Sequence, residues 1–147
     1  MGKRIILCVV LLSAYLSSGC ASVPMASQEQ DAALKTYAPP SGNMAGLYVY
    51  RNSFVGQALK KNIYVDDVFL GESANKVYFY KQVTPGPHKL STESEFSDNS
   101  ITFEAEARKN YFAEQYIKMG VFVGGANLKM VSEEEGMKQV SQCRLAR

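Results

Sequence analysis

The chain has 147 residues, of which 46% are hydrophobic and 20% charged, so it can form one folded domain and is not disordered throughout. Lys and Arg number 16 against 14 Asp and Glu, and this near balance argues against a protein that binds nucleic acid through a basic surface. A single His and three widely spaced Cys leave little material for a zinc site, a dithiol redox motif or a His-dependent relay. We therefore expect no metal, no cofactor and no enzyme activity.

The first residues have the organisation of a secretory signal peptide, expected over residues 1–19. Lys3 and Arg4 give a positive start, and the unbroken apolar run IILCVVLL follows at residues 5–12. About a dozen apolar-compatible residues are too few to span a bilayer, which needs about 20, so the segment predicts export rather than a transmembrane helix. Its removal would leave equal numbers of basic and acidic residues.

Small residues lead directly into a cysteine, in the order Leu16-Ser17-Ser18-Gly19-Cys20. This run resembles the lipobox of bacterial lipoproteins, although the commonest form has Leu where Ser17 stands. The resemblance implies a lipid such as palmitate on Cys20 and membrane attachment through it. Because Ala21 follows, similarity to enterobacterial lipoproteins implies the outer membrane, facing the periplasm. The alternative is an ordinary signal peptide cut after Gly19 or Ala21, which would leave Cys20 as a free thiol.

Residues 20–45 are rich in Ser, Gln, Ala and Pro, and they show little apolar periodicity. This composition predicts a flexible, lipid-anchored tether ahead of a folded domain over residues 46–147. Ser27 and Gln30 fit a capping box, so one or two turns of helix can form within the tether.

The folded domain is predicted to be mainly β. Aromatic and β-branched runs separated by turn residues predict strands at residues 47–51, 63–65, 68–71, 77–80, from 88, 101–107, 111–118, 121–123 and 128–131. Asp66-Asp67 forms the turn of one hairpin, and Gly124-Gly125 belongs to the last one. Ser132 and Glu135 predict the start of a short helix at residues 133–142. An antiparallel β-sandwich of about seven or eight strands with a C-terminal helix is expected.

Pro85 and Gly86 are the sharpest local prediction, a type II turn. Pro presets φ at the first central position, and Gly supplies the positive φ that the second requires. Pro87 has no N–H and is expected to delay the next strand until His88.

The run from Ile63 to His88 has a set layout: strand, acidic turn, Leu70-Gly71, aromatic strand, and Pro-Gly-x-His. Together with Asn110-Tyr111-Phe112 it resembles the uncharacterised lipoproteins of the DUF2846 type. The hairpin and the Pro-Gly-x-His element are also similar to PEGA-like modules, which are small prealbumin-like sandwiches. The resemblance covers about residues 45–145 and implies a surface-anchored, non-enzymatic module without catalytic residues.

Three features could suggest chemistry, and each has a simpler structural explanation. His88 is the only candidate general base, but Ser91 and Ser94 on the same strand do not converge on it. The glutamates 133–135 point in different directions on a helix and suit its positive N-terminus rather than a cation. Gly124-Gly125 lacks the spacing of a phosphate loop.

Cys143 is the one thiol expected to remain after processing and acylation. It follows the apolar Met137 and Val140 of the predicted helix, which favours burial. The alternative is an intermolecular disulfide in an oxidising periplasm.

Two tyrosine pairs, Tyr48/Tyr50 and Tyr78/Tyr80, each lie on one face of a predicted strand. If exposed and adjacent, they would form a platform that stacks on the sugars of peptidoglycan or lipopolysaccharide, or contacts a protein. The alternative is packing in the core. Two functions therefore stay open: a lipid-anchored module that holds an envelope protein partner, and a glycan-binding module.

Overall fold

The computed structural model describes residues 22–147, so Cys20 and the predicted signal peptide lie outside the described part. This part contains two helices and nine strands. In chain order they are α1 (Gln28–Leu34), β1 (Ala45–Arg51), β2 (Lys61–Val65), β3 (Val68–Ser73), β4 (Val77–Val83), β5 (Gly86–Thr92), β6 (Asn99–Ala105), β7 (Asn110–Lys118), β8 (Gly125–Val131), α2 (Glu133–Val140) and β9 (Arg144–Leu145).

The strands form two sheets that pack face to face, which confirms the predicted sandwich. The first sheet has the order β8-β7-β1-β4-β9 and the second β3-β2-β5-β6. Apolar side chains from both sheets meet in one core; they include Leu47, Val49, Phe79, Ala113, Ile63, Val65 and Leu90. Burial of this surface is the main favourable contribution to folding.

The five-stranded sheet is mixed rather than antiparallel. β1 pairs with β7 in parallel, and β4 pairs with β9 in parallel, whereas the four-stranded sheet is antiparallel throughout. The reason is the path of the chain, which crosses to the second sheet after β4 and returns only with β7. The two central pairings of β1 are therefore made with strands from distant parts of the chain.

The connections divide between two ends of the sandwich. At one end, here called the loop end, lie the connections 52–60, 74–76, 93–98 and 119–124. At the other, the turn end, lie the connections 66–67, 84–85 and 106–109. The longer loops are therefore gathered on one side of a rigid scaffold, where functional residues are commonly found.

Both predicted turn segments contain positive φ angles. Asp66 and Asp67 have φ of +51° and +64°, the two positive angles of a type I′ hairpin turn. Gly86 has a φ of +119°, which L side chains rarely adopt. Unlike the prediction, β5 begins at Gly86, and Pro87 pairs with Glu104. The missing N–H of Pro87 is tolerated because β2 pairs only with the later part of β5.

The predicted strand at residues 121–123 is wrong, because these residues belong to the loop 119–124 and β8 begins at Gly125. Their backbone N–H groups donate to the carboxylate of Glu95 instead of a neighbouring strand. A local apolar run could not reveal this partner.

The expectation of a flexible tether does not hold for residues 22–45, which pack on the sandwich. Val23 joins the core between the sheets, and Met25 forms a bridge with Ala146. The capping box of Ser27 and Gln30 is present at the start of α1. This segment lacks visible periodicity because its few apolar side chains enter different parts of the fold, while its backbone bonds to residues 145–147.

Candidate interaction surface

The predicted tyrosine platform is not at the surface. Tyr48, Tyr50 and Tyr78 are 1%, 2% and 0% exposed, and Tyr80 is partly buried. Each pair lies on one face of its strand as predicted, but that face is the outer side of the five-stranded sheet, which α1 and α2 cover. These four residues therefore do not form the sugar-stacking surface that an exposed platform would need.

The tyrosines instead form a second core with specific hydrogen bonds. The Tyr48 ring stacks on Phe112 with centroids 4.9 Å apart, and its hydroxyl donates to the Leu34 carbonyl at 2.9 Å. The Tyr78 hydroxyl donates to Oδ1 of Asp31 at 2.8 Å. Burial raises the pKa of both hydroxyls. The role of these rings is to fasten the N-terminal segment to the sheet.

Cys143 is buried in the same second core, at 1% exposure. Burial raises the pKa of its thiol to about 12, so it stays protonated and poorly reactive. The prediction of burial is confirmed.

His88 is a structural link at the turn end. Its Nδ1 lies 2.6 Å from Oδ2 of Asp66, and its Nε2 lies 2.7 Å from the Thr84 carbonyl. Because both partners are acceptors, only the imidazolium satisfies both contacts. Burial alone would lower the pKa of His88, but these two hydrogen bonds and the charge of Asp66 raise it above its ordinary value. The contacts join the connection at Pro85 and Gly86 to the first hairpin.

Most of the exposed large apolar side chains of residues 22–147 lie at the loop end. Phe122, for example, is 83% exposed. We call this set the apolar loop cluster; its members are Phe54, Val55, Phe96, Met119, Val121, Phe122 and Val123. They come from three different loops, and the rings of Phe96 and Phe122 lie 6.5 Å apart in an edge arrangement. Apolar groups gathered in this way are typical of contact surfaces.

Glu95 fixes the loop that carries four of the seven members of this cluster. Its carboxylate accepts the N–H of Val121 at 2.7 Å and of Val123 at 3.3 Å, and it also accepts that of Phe122. The hydrogen bond from Phe122 lowers the pKa of Glu95 most, burial opposes it, and the other two N–H groups and the charge of Lys61 lower it further. The carboxylate is therefore ionised at neutral pH and presents these side chains in a defined arrangement.

The loop 52–60 packs beside the loop 119–124. Gly56, with a φ of +72°, lies against Ile117, and Leu59 lies against Gly124. These contacts hold the two loops side by side at the loop end.

The sandwich interior below the loop end is polar. Gln115 is fully buried and donates through Nε2 to Oγ1 of Thr92 at 2.7 Å. The hydroxyl of Ser73 donates to Oε1 of Gln115. Thr92 in turn donates to the Asn62 carbonyl at 2.9 Å. These groups satisfy one another, as buried polar groups require.

No helix within residues 22–147 is long and apolar enough to cross a membrane, and no three metal-binding side chains of this part converge.

The sequence predictions missed the apolar loop cluster. A usable signal was present, since apolar residues such as Phe54 and Phe96 stand among Ser, Asn, Asp and Gly, where loops are expected. Of the predicted site residues, the four tyrosines lie on the outer sheet face and Pro85 and Gly86 lie at the turn end, so the structure does not bring the two groups together at one site. Cys20 lies outside the described residues.

Comparison with known proteins gives the family. The family model of DUF2846, described as a protein of unknown function, matches residues 41–126, which run from just before β1 into β8. An uncharacterized protein of Haemophilus influenzae is 55% identical over 133 residues, which are 90% of this chain and 79% of that protein. No solved structure matches the chain. The chain belongs to the DUF2846 family.

Proposed function

We propose that the protein is a lipid-anchored lipoprotein of the bacterial cell envelope that binds a protein partner through the apolar loop cluster and catalyses no reaction. The cluster is the observation that carries this proposal. Seven large apolar side chains from three loops are exposed to solvent, and these loops contact one another. Interfaces are enriched in aromatic residues and Met, and burial of such side chains on binding gives most of the affinity.

The lipobox at Cys20 supports the anchor, and Ala21 supports the outer membrane as its location. Residues 24–26 run antiparallel to residues 145–147, with the N–H of Arg147 donating to the Pro24 carbonyl at 3.0 Å. Ser22, the first described residue, therefore lies on the turn-end side of Met25. With a lipid on Cys20, about 10 Å of extended chain would separate it from Val23.

This geometry favours a protein as the partner over the bilayer. Strand β1 extends over seven residues, so the two ends of the sandwich are roughly 20 Å apart. A membrane close to the turn end would leave the apolar loop cluster facing the aqueous compartment. A protein of the envelope, with an apolar surface of its own, is the partner that this arrangement suits. The resemblance of the hairpin and the Pro-Gly-x-His element to PEGA-like modules belongs to this proposal.

The anchor is tested by metabolic labelling with radioactive palmitate. Label is expected on the wild-type protein and absent from Cys20→Ala, which should accumulate as an uncleaved or soluble form. A wild-type protein that takes up no palmitate would show that the lipoprotein proposal is wrong.

The partner surface is tested by photo-crosslinking in intact cells, with a photoreactive residue in place of Phe122. We expect one dominant protein adduct, which Phe96→Ser should weaken because it removes a neighbouring exposed ring. The same photoreactive residue at Glu104, exposed on β6 toward the turn end, is the matched control and should give no such adduct. Equal adducts from both positions, or none from Phe122, would contradict the proposal.

The glycan-binding function loses its support from Tyr48, Tyr50 and Tyr78 because these side chains are buried. Sedimentation with purified peptidoglycan sacculi tests it directly. If the protein co-sediments with sacculi and Phe122→Ser abolishes this binding, the partner is a glycan rather than a protein. If the protein does not co-sediment, the result supports a protein partner.

A further inference from the structure

Arg51 is a buried cation at the loop end. It alternates along β1 with Tyr50, so its side chain points, like those of Leu47 and Val49, between the two sheets. The residue is 1% exposed. The position is unusual, because Arg is almost never fully buried unless it is paired.

The guanidinium of Arg51 lacks a counter-charge. Its Nη2 donates to the Leu59 carbonyl, whereas its Nε and Nη1 have no hydrogen-bond partner. None of the ion pairs among residues 22–147 includes it. Burial lowers the pKa of Arg51 to about 10, so the group remains charged at neutral pH. An unpaired buried charge opposes folding, and such groups persist mainly where they serve a function.

A second cation is buried at the loop end. Lys61 is also buried and faces the same interior as Ile63 and Val65. Glu95 is the carboxylate whose pKa responds to Lys61, but its oxygens are occupied by the backbone of the loop 119–124. The described residues therefore place two cations below the apolar loop cluster and direct no free carboxylate at Arg51.

The loop 52–60 contacts the guanidinium through the Leu59 carbonyl. The loop 52–60 is attached at one end where the N–H of Ser53 donates to Oδ1 of Asn75 at 2.9 Å, and at the other where Arg51 holds the Leu59 carbonyl. Between these points Phe54 and Val55 are exposed. The Leu59 carbonyl is the one hydrogen-bond partner of the guanidinium within residues 22–147.

We propose that Arg51 binds a carboxylate of the partner segment that docks on the apolar loop cluster. The carboxylate replaces the Leu59 carbonyl and gives the planar guanidinium the two-pronged partner that it lacks. The partner is thus a segment with apolar side chains next to a free carboxylate, either a chain end or an acidic residue. This inference rests on the proposed function for the identity of the ligand, but its test uses the isolated protein.

The test measures the thermal unfolding midpoint of the full-length protein with N-acetyl-leucylphenylalanine, with its C-terminal amide, and with acetate. At a hundredfold excess over Kd the acid is expected to raise the midpoint by about 8–16 °C. The amide and acetate are expected to have little effect, since each lacks one half of the ligand. Arg51→Met should abolish the response to the acid. Arg144→Met, which removes an exposed Arg on β9, is the matched control and should retain it.

Equal responses to the acid and the amide would overturn the proposal, as would an acid response that survives in Arg51→Met. An equal response to acetate would overturn the partner segment as the source of the carboxylate. If Arg51→Met does not fold, Arg51→Lys keeps the charge without the planar fork, and an unchanged response would then contradict the inference. A failed crosslink at Phe122 with an intact acid response would refute the envelope partner and leave the carboxylate site in place.

Discussion

Substitution of Gly86 tests the connection between the two sheets. Gly86 has a φ of +119°, and a Cβ added there would meet no atom within 4 Å. The cost of Gly86→Ala is therefore backbone strain alone, about 1–3 kcal/mol for a residue held in such a region. Gly86→Val should cost more, because a β-branched side chain tolerates positive φ least well. For a chain of this size each kcal/mol lowers the midpoint by about 3–6 °C.

The assay is urea and thermal unfolding followed by far-ultraviolet circular dichroism. Pro85→Ala should cost only about 0.4–1 kcal/mol, because it mainly frees the unfolded chain. Thr84→Val is the matched control: it places a β-branched residue at an exposed neighbouring position and should stay within about 0.5 kcal/mol. A Gly86→Val protein as stable as the wild type would refute the reasoning and show that residues 84–86 form a loose loop.

Three further substitutions test contacts elsewhere in the fold. The pKa of His88 is raised in the folded protein, so its bond to Asp66 contributes its full stabilisation below about pH 6.5. This stabilisation is lost as the pH rises through the folded-state pKa. His88→Gln should therefore cost more stability at pH 5.5 than at pH 8.5 in urea unfolding. Tyr78→Phe removes a hydrogen bond to a carboxylate and should cost about 1.5–3 kcal/mol by the same assay. Gly136→Ala drives a methyl group into the ring of Phe112 and should cost about 1–3 kcal/mol, with a native-like spectrum retained.

The sequence was informative where local chemistry decides the structure. Asp66-Asp67 and Gly86 adopt the predicted backbone because turn geometry depends on a few adjacent residues. The capping box at Ser27 and the N-cap at Ser132 are equally local, and both helices begin where they predict. The existence of most strands follows in the same way from β-branched and aromatic runs.

The faces of those strands could not be assigned from the sequence. Every residue of β1 is buried, so the strand shows no alternation between polar and apolar residues. The segments that cover Tyr48 and Tyr50 are α1 and α2, which precede and follow the sandwich strands, and only tertiary packing brings them there. The predicted strand at residues 121–123 was wrong for the same reason, because Glu95, which accepts hydrogen bonds from these residues, belongs to a different loop. Long-range partners leave no local pattern.

The pairing of residues 24–26 with residues 145–147 has a consequence for folding order. Arg147 donates through Nε to the Met25 carbonyl at 2.9 Å, a contact across 122 residues of chain. Contacts between residues so far apart in the chain have the largest entropic cost of loop closure. The pairing of residues 24–26 with residues 145–147, here called the clasp, therefore forms after the sheets and opens before they do. Its opening would bare the outer edge of β9 and leave the pairing of β4 with β1 in place. Amide hydrogens of the clasp should therefore exchange with solvent well before those in the centre of the sheet.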